Sequence, residues 1–310
     1  MNNNYIIEKL NKEEIFKVAE LFYLVWGGDK AKLESKTKWA FNNDFSKILI
    51  IKNEKQEIVA VRGGIRWPLV YKNRTLNSYQ FHGTCVHPNY RRLGLFSKLN
   101  REFIKELYEE ENELIFNVSV KASRLGYEKL GWKYLNGFHR LTKVHPFRRR
   151  IKDINIPTLK IKNIPSEFIE ARNKTFFNLI STKYNSSFFR WRLDNEFENY
   201  STYISETAFI VYKLKINSRV RELIIGEIFL VNNKFSHFNN ALNELINIVA
   251  PTISLCYIFE NHPYYKHYIR KFYLPNPLNY NLNFGTRVIN ENLNISKLKW
   301  GISFLDIDTF

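Results

Sequence analysis

The chemistry-bearing residues concentrate in one segment, Thr84-Cys85-Val86-His87-Pro88-Asn89-Tyr90-Arg91-Arg92-Leu93-Gly94-Leu95-Phe96-Ser97-Lys98-Leu99. It reads as the end of a strand, a short basic turn with one glycine, and the start of an amphipathic helix. The first N–H groups of a helix have no intrahelical partner and sit at the positive end of its dipole, which makes a place for phosphate. Gly94 lets backbone approach an anion without a Cβ in the way. Arg91 and Arg92 add charge-assisted donors. The turn is neither a phosphate loop with Lys-Ser/Thr after a second glycine nor a three-glycine dinucleotide fingerprint. A second segment of interest is Tyr127-Glu128-Lys129-Leu130-Gly131-Trp132, on the helix after the next strand.

The elements that must position these groups follow from periodicity. Apolar residues three and four apart in Ile15–Phe22 predict a helix, with Asn11 as N-cap and Glu14 three residues on. A second helix is expected over Asp29 to Phe41. Lys47–Ile51 and Glu57–Val61 read as strands around the turn Asn53-Glu54-Lys55-Gln56. More strand follows to Val70, and another, after the turn at Lys72-Asn73, runs to Val86. Phe96 to Tyr108 has helical spacing, Leu114 to Val120 is a strand, Lys121 to Leu130 a short helix, and Trp132 to Val144 extended. The second half repeats this order. Helices are expected from Pro165 to Ile180 and Ser187 to Leu193, a hairpin around Asn217-Ser218, a helix over Phe238 to Ile248, a strand over Ile253 to Phe259, a helix over Tyr264 to Phe272, and an extended tail. The expectation is an α/β chain of two related lobes: residues 1–145, a basic linker over 146–164 carrying Arg148-Arg149-Arg150, and residues 165–310.

Composition limits the function classes. The chain has 310 residues, 45% hydrophobic and 25% charged, which excludes a disordered tail protein. No run of about 18 apolar residues suggests a membrane span, and no secretory signal is read at the start. Cys85 and Cys256 cannot build a disulfide framework, so a reduced, cytoplasmic setting is expected. The formal net charge of +17 is uneven, with 28 basic and 16 acidic residues in 1–150. It points to an anionic partner on the side of the Arg91-Arg92 turn.

Together, in this order of elements, the two segments resemble the GNAT superfamily of acyl-CoA-dependent N-acyltransferases. That family's Arg/Gln-x-x-Gly-x-Gly/Ala pyrophosphate cradle is matched at Arg91-Arg92-Leu93-Gly94-Leu95-Phe96, with Phe96 replacing the final small residue. Its Tyr-Glu-Lys-x-Gly-Phe signature is matched by Tyr127 to Trp132. The resemblance covers about residues 1–145. It implies two tandem GNAT-like lobes, each a mixed, mostly antiparallel sheet flanked by helices, with acetyl-CoA or another acyl-CoA as donor and no metal. The backbone of Cys85 and Val86 would pair with the pantetheine arm, the Val86 N–H facing the thioester oxygen. Arg91, Arg92, Leu93, Gly94, Leu95, Phe96 and Ser97 would hold the pyrophosphate. Asn117 and Ser123 would touch the pantetheine or adenylate end. Tyr127 matches the tyrosine that protonates the departing thiolate. His82 is the best-placed titratable candidate to deprotonate the amine, and strand alternation would set His82, Thr84 and Val86 on one face.

The second half has no such cradle. Its strand-to-helix junction, Leu230 to Phe238, lacks glycine and paired arginines, and its counterpart of the tyrosine segment is Tyr268-Ile269-Arg270-Lys271-Phe272-Tyr273. One cofactor site is therefore expected, the second lobe shaping the acceptor pocket. The expected acceptor is a small amine, an amino sugar or nucleotide-linked sugar of a cell-surface polysaccharide pathway being the guess from resemblance. Three other readings stay open: an O-acyl or aminoacyl/peptidyl transferase on a related fold, a non-catalytic acyl-CoA-binding module, and a nucleic-acid binder, although no RNA- or DNA-reading motif is found. Oligomeric state is not encoded. His82, Cys85 and His87 fall short of a closed zinc set, and Cys85 reads as a buried thiol rather than a nucleophile. Asp306 and Asp308, two apart, could share a strand face toward an acceptor. Phe188-Phe189-Arg190-Trp191-Arg192 reads as a helix packing an aromatic face.

Overall fold

The computed structural model describes residues 5–146, 164–194, 198–217, 220–275, 282–290 and 298–307. Its elements are β1 (Ile7–Lys9), α1 (Ile15–Trp26), α2 (Lys30–Phe41), β2 (Ser46–Lys52), β3 (Ile58–Arg66), β4 (Leu69–Tyr71), β5 (Arg74–Leu76), β6 (Ser78–Val86), α3 (Leu95–Glu109), β7 (Leu114–Ser119), α4 (Lys121–Glu128), β8 (Lys133–Tyr134) and β9 (Phe138–Val144). They continue with α5 (Ser166–Thr175), β10 (Ser181–Thr182), α6 (Ser186–Leu193), β11 (Tyr200–Ile204), β12 (Ala208–Asn217), β13 (Val220–Leu230), α7 (Phe235–Val249), β14 (Ile253–Phe259), α8 (Tyr265–Arg270), β15 (Leu274–Pro275) and β16 (Asn283–Val288). The chain forms two tandem α/β units, each around its own sheet.

The first unit comprises Met1–Pro68, Leu76–Leu135 and Asn283–Ile295. Its sheet has the order β1-β2-β3-β6-β7-β16-β8. All neighbours are antiparallel except β6 and β7. One sheet face is covered by α3, whose Leu95, Leu99, Phe103 and Leu107 recur at four-residue spacing and are all buried. Each such burial stabilises the fold by roughly 1.5–3 kcal/mol. Tyr79, Phe81, Ile115, Tyr127 and Trp132 complete that core. On the other face, Phe22 of α1 and Phe41 of α2 meet β3 and β6 at Gly63 and Gly83. Asp29 caps α2 by accepting from the Lys32 N–H.

The second unit comprises Leu69–Thr75, Asn136–Leu282 and Ser296–Phe310. Its main sheet has the order β11-β12-β13-β14-β9-β15, with one parallel pair, β13 and β14. Its core lies under α7, through Phe238, Leu242, Leu245 and Val249. The units do not follow the contiguous division expected from the sequence. Strand β9, read as the end of the first half, lies between β14 and β15, paired from Phe138↔Phe259 to Val144↔Ile253. Strand β16, read as part of the second half's tail, lies between β7 and β8 of the first sheet. Residues Arg148-Arg149-Arg150 and Asp308 lie outside the described residues. No helix among the described residues is long and apolar enough to cross a membrane.

Candidate active site

Strands β6 and β7 pair only at Ser78↔Leu114, Tyr79↔Ile115 and Gln80↔Phe116. Beyond that point β6 follows β3 and β7 follows β16. The two parallel strands therefore part from Phe81 and Asn117 onward. Among the described residues no strand pairs with the edge of β6 facing the gap, so its backbone groups can take an extended ligand as an added strand.

A bulge decides which side chains face which way. On β3 and β6 the register runs Gly64↔Phe81, Gly63↔His82 and then Arg62↔Thr84, so Gly83 is the extra residue. Gly83 has φ +60°, and a Cβ there would lie 2.9 Å from the Phe41 ring and 3.0 Å from Phe22. Only glycine meets both demands. The bulge resets the alternation. Thr84 and Val86 fall on the α3–α4 face with Arg62 and Ala60, whereas His82 falls on the α1–α2 face with Gln80 and Cys85. The expectation that His82, Thr84 and Val86 share a face is thereby corrected. His82 is 7% exposed and packs edge-on to Phe41, with ring centroids 5.4 Å apart. The Cys85 thiol, directed at the Leu21 carbonyl on the same face, is pushed up to about 12 by burial, against the opposing Arg91 charge. A thiol so protonated is no nucleophile.

On the α3–α4 face stands Tyr127, 3% exposed. Its hydroxyl accepts a hydrogen bond from Arg62 Nη1 at 2.9 Å and lies 3.5 Å from Thr84 Oγ1. Arg62 is 1% exposed, its guanidinium carbon 3.7 Å from the centre of the Phe81 ring. Sequence reasoning missed Arg62, which passed as one charge among many. The available signal was its setting, a lone cation inside Ile58-Val59-Ala60-Val61-Arg62-Gly63-Gly64-Ile65, where all eight residues are buried. Asn117 is buried beside the gap, and its Oδ1 has no hydrogen-bond partner among the described residues. Ser123 spends its N–H and Oγ locally, both donating to the Val120 carbonyl at 3.1 Å.

The basic turn leads straight into α3. Arg92 and Gly94 both have positive φ, +65° and +77°. A non-glycine residue held there costs about 1–3 kcal/mol, and such strain collects at ligand clamps. The N-cap of α3 is Gly94, which has no side chain to cap with, unlike Asp29 and Asn185 at α2 and α6. The first backbone bond returning into the helix is Lys98 N–H to Gly94 O. The N–H groups of Leu95, Phe96 and Ser97 are thus left for a ligand. A Cβ at Gly94 would meet nothing within 4 Å, so the space in front of these donors is open. Arg91, Arg92, Leu93 and Gly94 are exposed around it, while Leu95 is buried in the core. The aromatic ring of Phe96 turns onto α4, edge-on to Tyr127 at 5.3 Å. A methyl at Gly126 would come within 2.8 Å of that ring, so Phe96 has its space because residue 126 is glycine.

The second unit carries the same backbone device. β13 and β14 pair only as far as Ile225↔Cys256, and β13 has its own register shift at Gly226. Here the gap is filled from within: Ile258 of β14 bridges Ser303, and the short 3-10 helix Phe304–Asp306 follows. Asp306, fully buried, accepts from the Ser303 N–H and the Tyr184 hydroxyl. Beside it Arg172 donates to Glu227 at 3.2 Å and to the Thr182 carbonyl at 2.8 Å. The start of α7 has no positive-φ turn, and His267 hydrogen-bonds Asn233 there at 2.9 Å. Asp306 is therefore a structural partner inside this unit. His262 and His267 are also both buried within it, and Arg192 of α6 donates to the Leu305 and Ile307 carbonyls.

Residues 7–135 match the family profile of the acetyltransferase (GNAT) domain. This stretch is a GNAT domain. The match ends at the point where the first unit's contiguous part ends, and β16 then completes the GNAT sheet from far along the sequence. Among solved structures, the chain is similar to a GCN5-related N-acetyltransferase from Anabaena variabilis, with TM-score 0.66 and 12% identity over 93% of this chain and 73% of that one. It is similar to one from Kribbella flavida, with TM-score 0.63 and 13% identity over 92% and 72%. A protein from Pyrococcus horikoshii matches with TM-score 0.59 and 13% identity over 98% and 94%. At these identities the likeness is one of fold, and it extends over both GNAT-like units. No curated protein matches the chain. Among the described residues, no group of three or more His, Cys, Asp or Glu is placed to hold a metal.

Proposed function

We propose that the first unit binds acetyl-CoA and transfers its acetyl group directly to an amine. One observation carries this reading. The unpaired edge of β6 leads on one side to three free N–H groups at the start of α3 and on the other to the Tyr127 phenol. Leu95, Phe96 and Ser97 N–H groups, with Arg91 and Arg92, suit a pyrophosphate. Cys85 and Val86 would present backbone to the pantetheine arm, the Val86 N–H serving the thioester oxygen as charge develops there. The orphaned Asn117 Oδ1 would accept from an amide of that arm. A neutral amine attacks the thioester carbon, the C–S bond breaks, and the Tyr127 hydroxyl gives its proton to the departing sulfur. His82, on the opposite face of β6, would receive the proton of an amine arriving from the α1–α2 side. The second unit, whose gap holds its own chain, would serve the acceptor rather than a second CoA.

Calorimetry with CoA and acetyl-CoA tests the reading, with one equivalent expected per chain. An acceptor panel led by amino sugars, nucleotide-linked amino sugars and alcohols then separates N-transfer from O-transfer. Failure to bind any CoA thioester would overturn the proposal. Tyr127→Phe should keep CoA affinity while turnover falls about 10²- to 10⁴-fold; an unchanged rate would remove Tyr127 from the mechanism.

A further inference from the structure

We propose that Arg62 is the positioning residue of the proton donor, acting through Tyr127 rather than on either substrate. The assignment rests on the acyl-transfer reading of the same site. Arg62 Nη1 donates to the Tyr127 oxygen at 2.9 Å, so the phenolic proton cannot point at Arg62 and turns to the far side, where Thr84 Oγ1 stands at 3.5 Å. The geometry is set by the fold. Arg62 and Thr84 are direct cross-strand partners because Gly83 is bulged out, and without the bulge Thr84 would leave this face. The guanidinium lies 3.7 Å from the centre of the Phe81 ring, which holds its plane. Guanidinium and phenol are both buried, where a charge-assisted hydrogen bond is strong and little screened.

The step balances. The amine nitrogen forms the new C–N bond and loses one proton to the base or solvent. The thioester C–S bond breaks, and its electron pair leaves with sulfur. The Tyr127 O–H bond breaks to make the S–H bond, leaving a phenolate 2.9 Å from Arg62 until solvent reprotonates it. Arg62 thus stabilises charge that exists only after proton transfer, which lowers the barrier without tightening donor binding.

The test is a double-mutant cycle of Arg62→Met and Tyr127→Phe on the full chain. Release of free CoA from acetyl-CoA is followed with hydroxylamine as a small amine acceptor, together with CoA affinity by calorimetry and the melting temperature. Arg62→Met should lower kcat about 10- to 100-fold, the range of one hydrogen bond to a charged group, with CoA affinity unchanged. In the Tyr127→Phe background the same substitution should cost nothing further. Arg62→Lys, which keeps the charge and one donor, should recover part of the rate and serves as the probe should the Met variant not fold. Equal rates for Arg62→Met and the parent, or losses that multiply independently of Tyr127, would overturn the assignment and leave the acyl-transfer reading standing. No enzyme-dependent CoA release by the parent chain would sink both.

Discussion

The two units open the same pair of strands and put different things in the gap. In the first, β6 and β7 part after Gln80 and Phe116; in the second, β13 and β14 part after Ile225 and Cys256. Each gap has a bulge beside it, at Gly83 and Gly226. In the first unit the strand leads to a glycine-capped helix with three unused N–H groups. In the second, the chain's own Ser303 bridges Ile258, and the Arg172 guanidinium is shared between the Glu227 and Asp306 carboxylates in a buried cluster. A parted parallel pair is therefore a backbone vacancy with no fixed occupant. Polar groups left without partners make it a site, and polar groups satisfied from within make it a core.

The largest effect is expected from removing β16. Residues 1–145 expressed alone lack the strand between β7 and β8 and should fail to give a folded, CoA-binding domain, as circular dichroism and calorimetry would show. A stable CoA-binding fragment would mean that the first sheet does not need its distant strand. The next effect concerns the plugged gap. Removing one partner of a buried ion pair costs about 3–5 kcal/mol, so Glu227→Gln should lose that much in denaturant unfolding at pH 7. Burial by itself raises the Glu227 carboxyl, but the His262 ring, the Arg172 guanidinium and the Ile228 N–H outweigh it and hold it below the ordinary value of 4.5. A carboxyl lowered on folding contributes stability that is fully present above its unfolded value and is lost as pH falls through its folded value. The parent should accordingly lose stability below about pH 4.5, and the variant should show a flatter acid limb. An equally steep limb would remove Glu227 as its source.

Smaller effects sharpen the contrast at the helix starts. Gly94→Glu places a carboxylate before the free N–H groups and should weaken CoA binding about 100-fold, at a stability cost of only about 1 kcal/mol for the left-handed backbone. Retained affinity would show that the anion sits elsewhere. The matching change in the second unit, Lys234→Glu at the N-cap of α7, should leave CoA affinity and stoichiometry unaltered. Any loss would reveal a second CoA contact.

Much of this was legible in the linear chain. Helical spacing of Leu95, Leu99, Phe103 and Leu107, the alternating runs of β2 and β3, and the Arg91–Phe96 and Tyr127–Trp132 segments are local signals, and local conformation follows from them. Asn11, read as an N-cap, accepts from the Glu13 N–H ahead of a short 3-10 turn that leads into α1. The exchange of β9 and β16 was not legible. Phe284, Thr286 and their neighbours mark a strand, but a strand's pattern does not name the sheet edge that will take it. His82 was misplaced for a related reason. Alternation assigns faces only along an unbroken strand, and one bulged glycine inverts every face beyond it.

The sequence by itself determined the two α/β lobes, the single phosphate-type turn with its arginines, and the tyrosine on the following helix, because caps, periodicity and turn chemistry act over a few residues. Only the tertiary structure decided which strands complete each sheet, that Arg62 lies under the Tyr127 hydroxyl 65 positions away, and that the second unit's gap takes up the chain's own Ser303. These depend on pairings between distant segments, chosen by which arrangement buries apolar surface and satisfies polar groups across the whole fold.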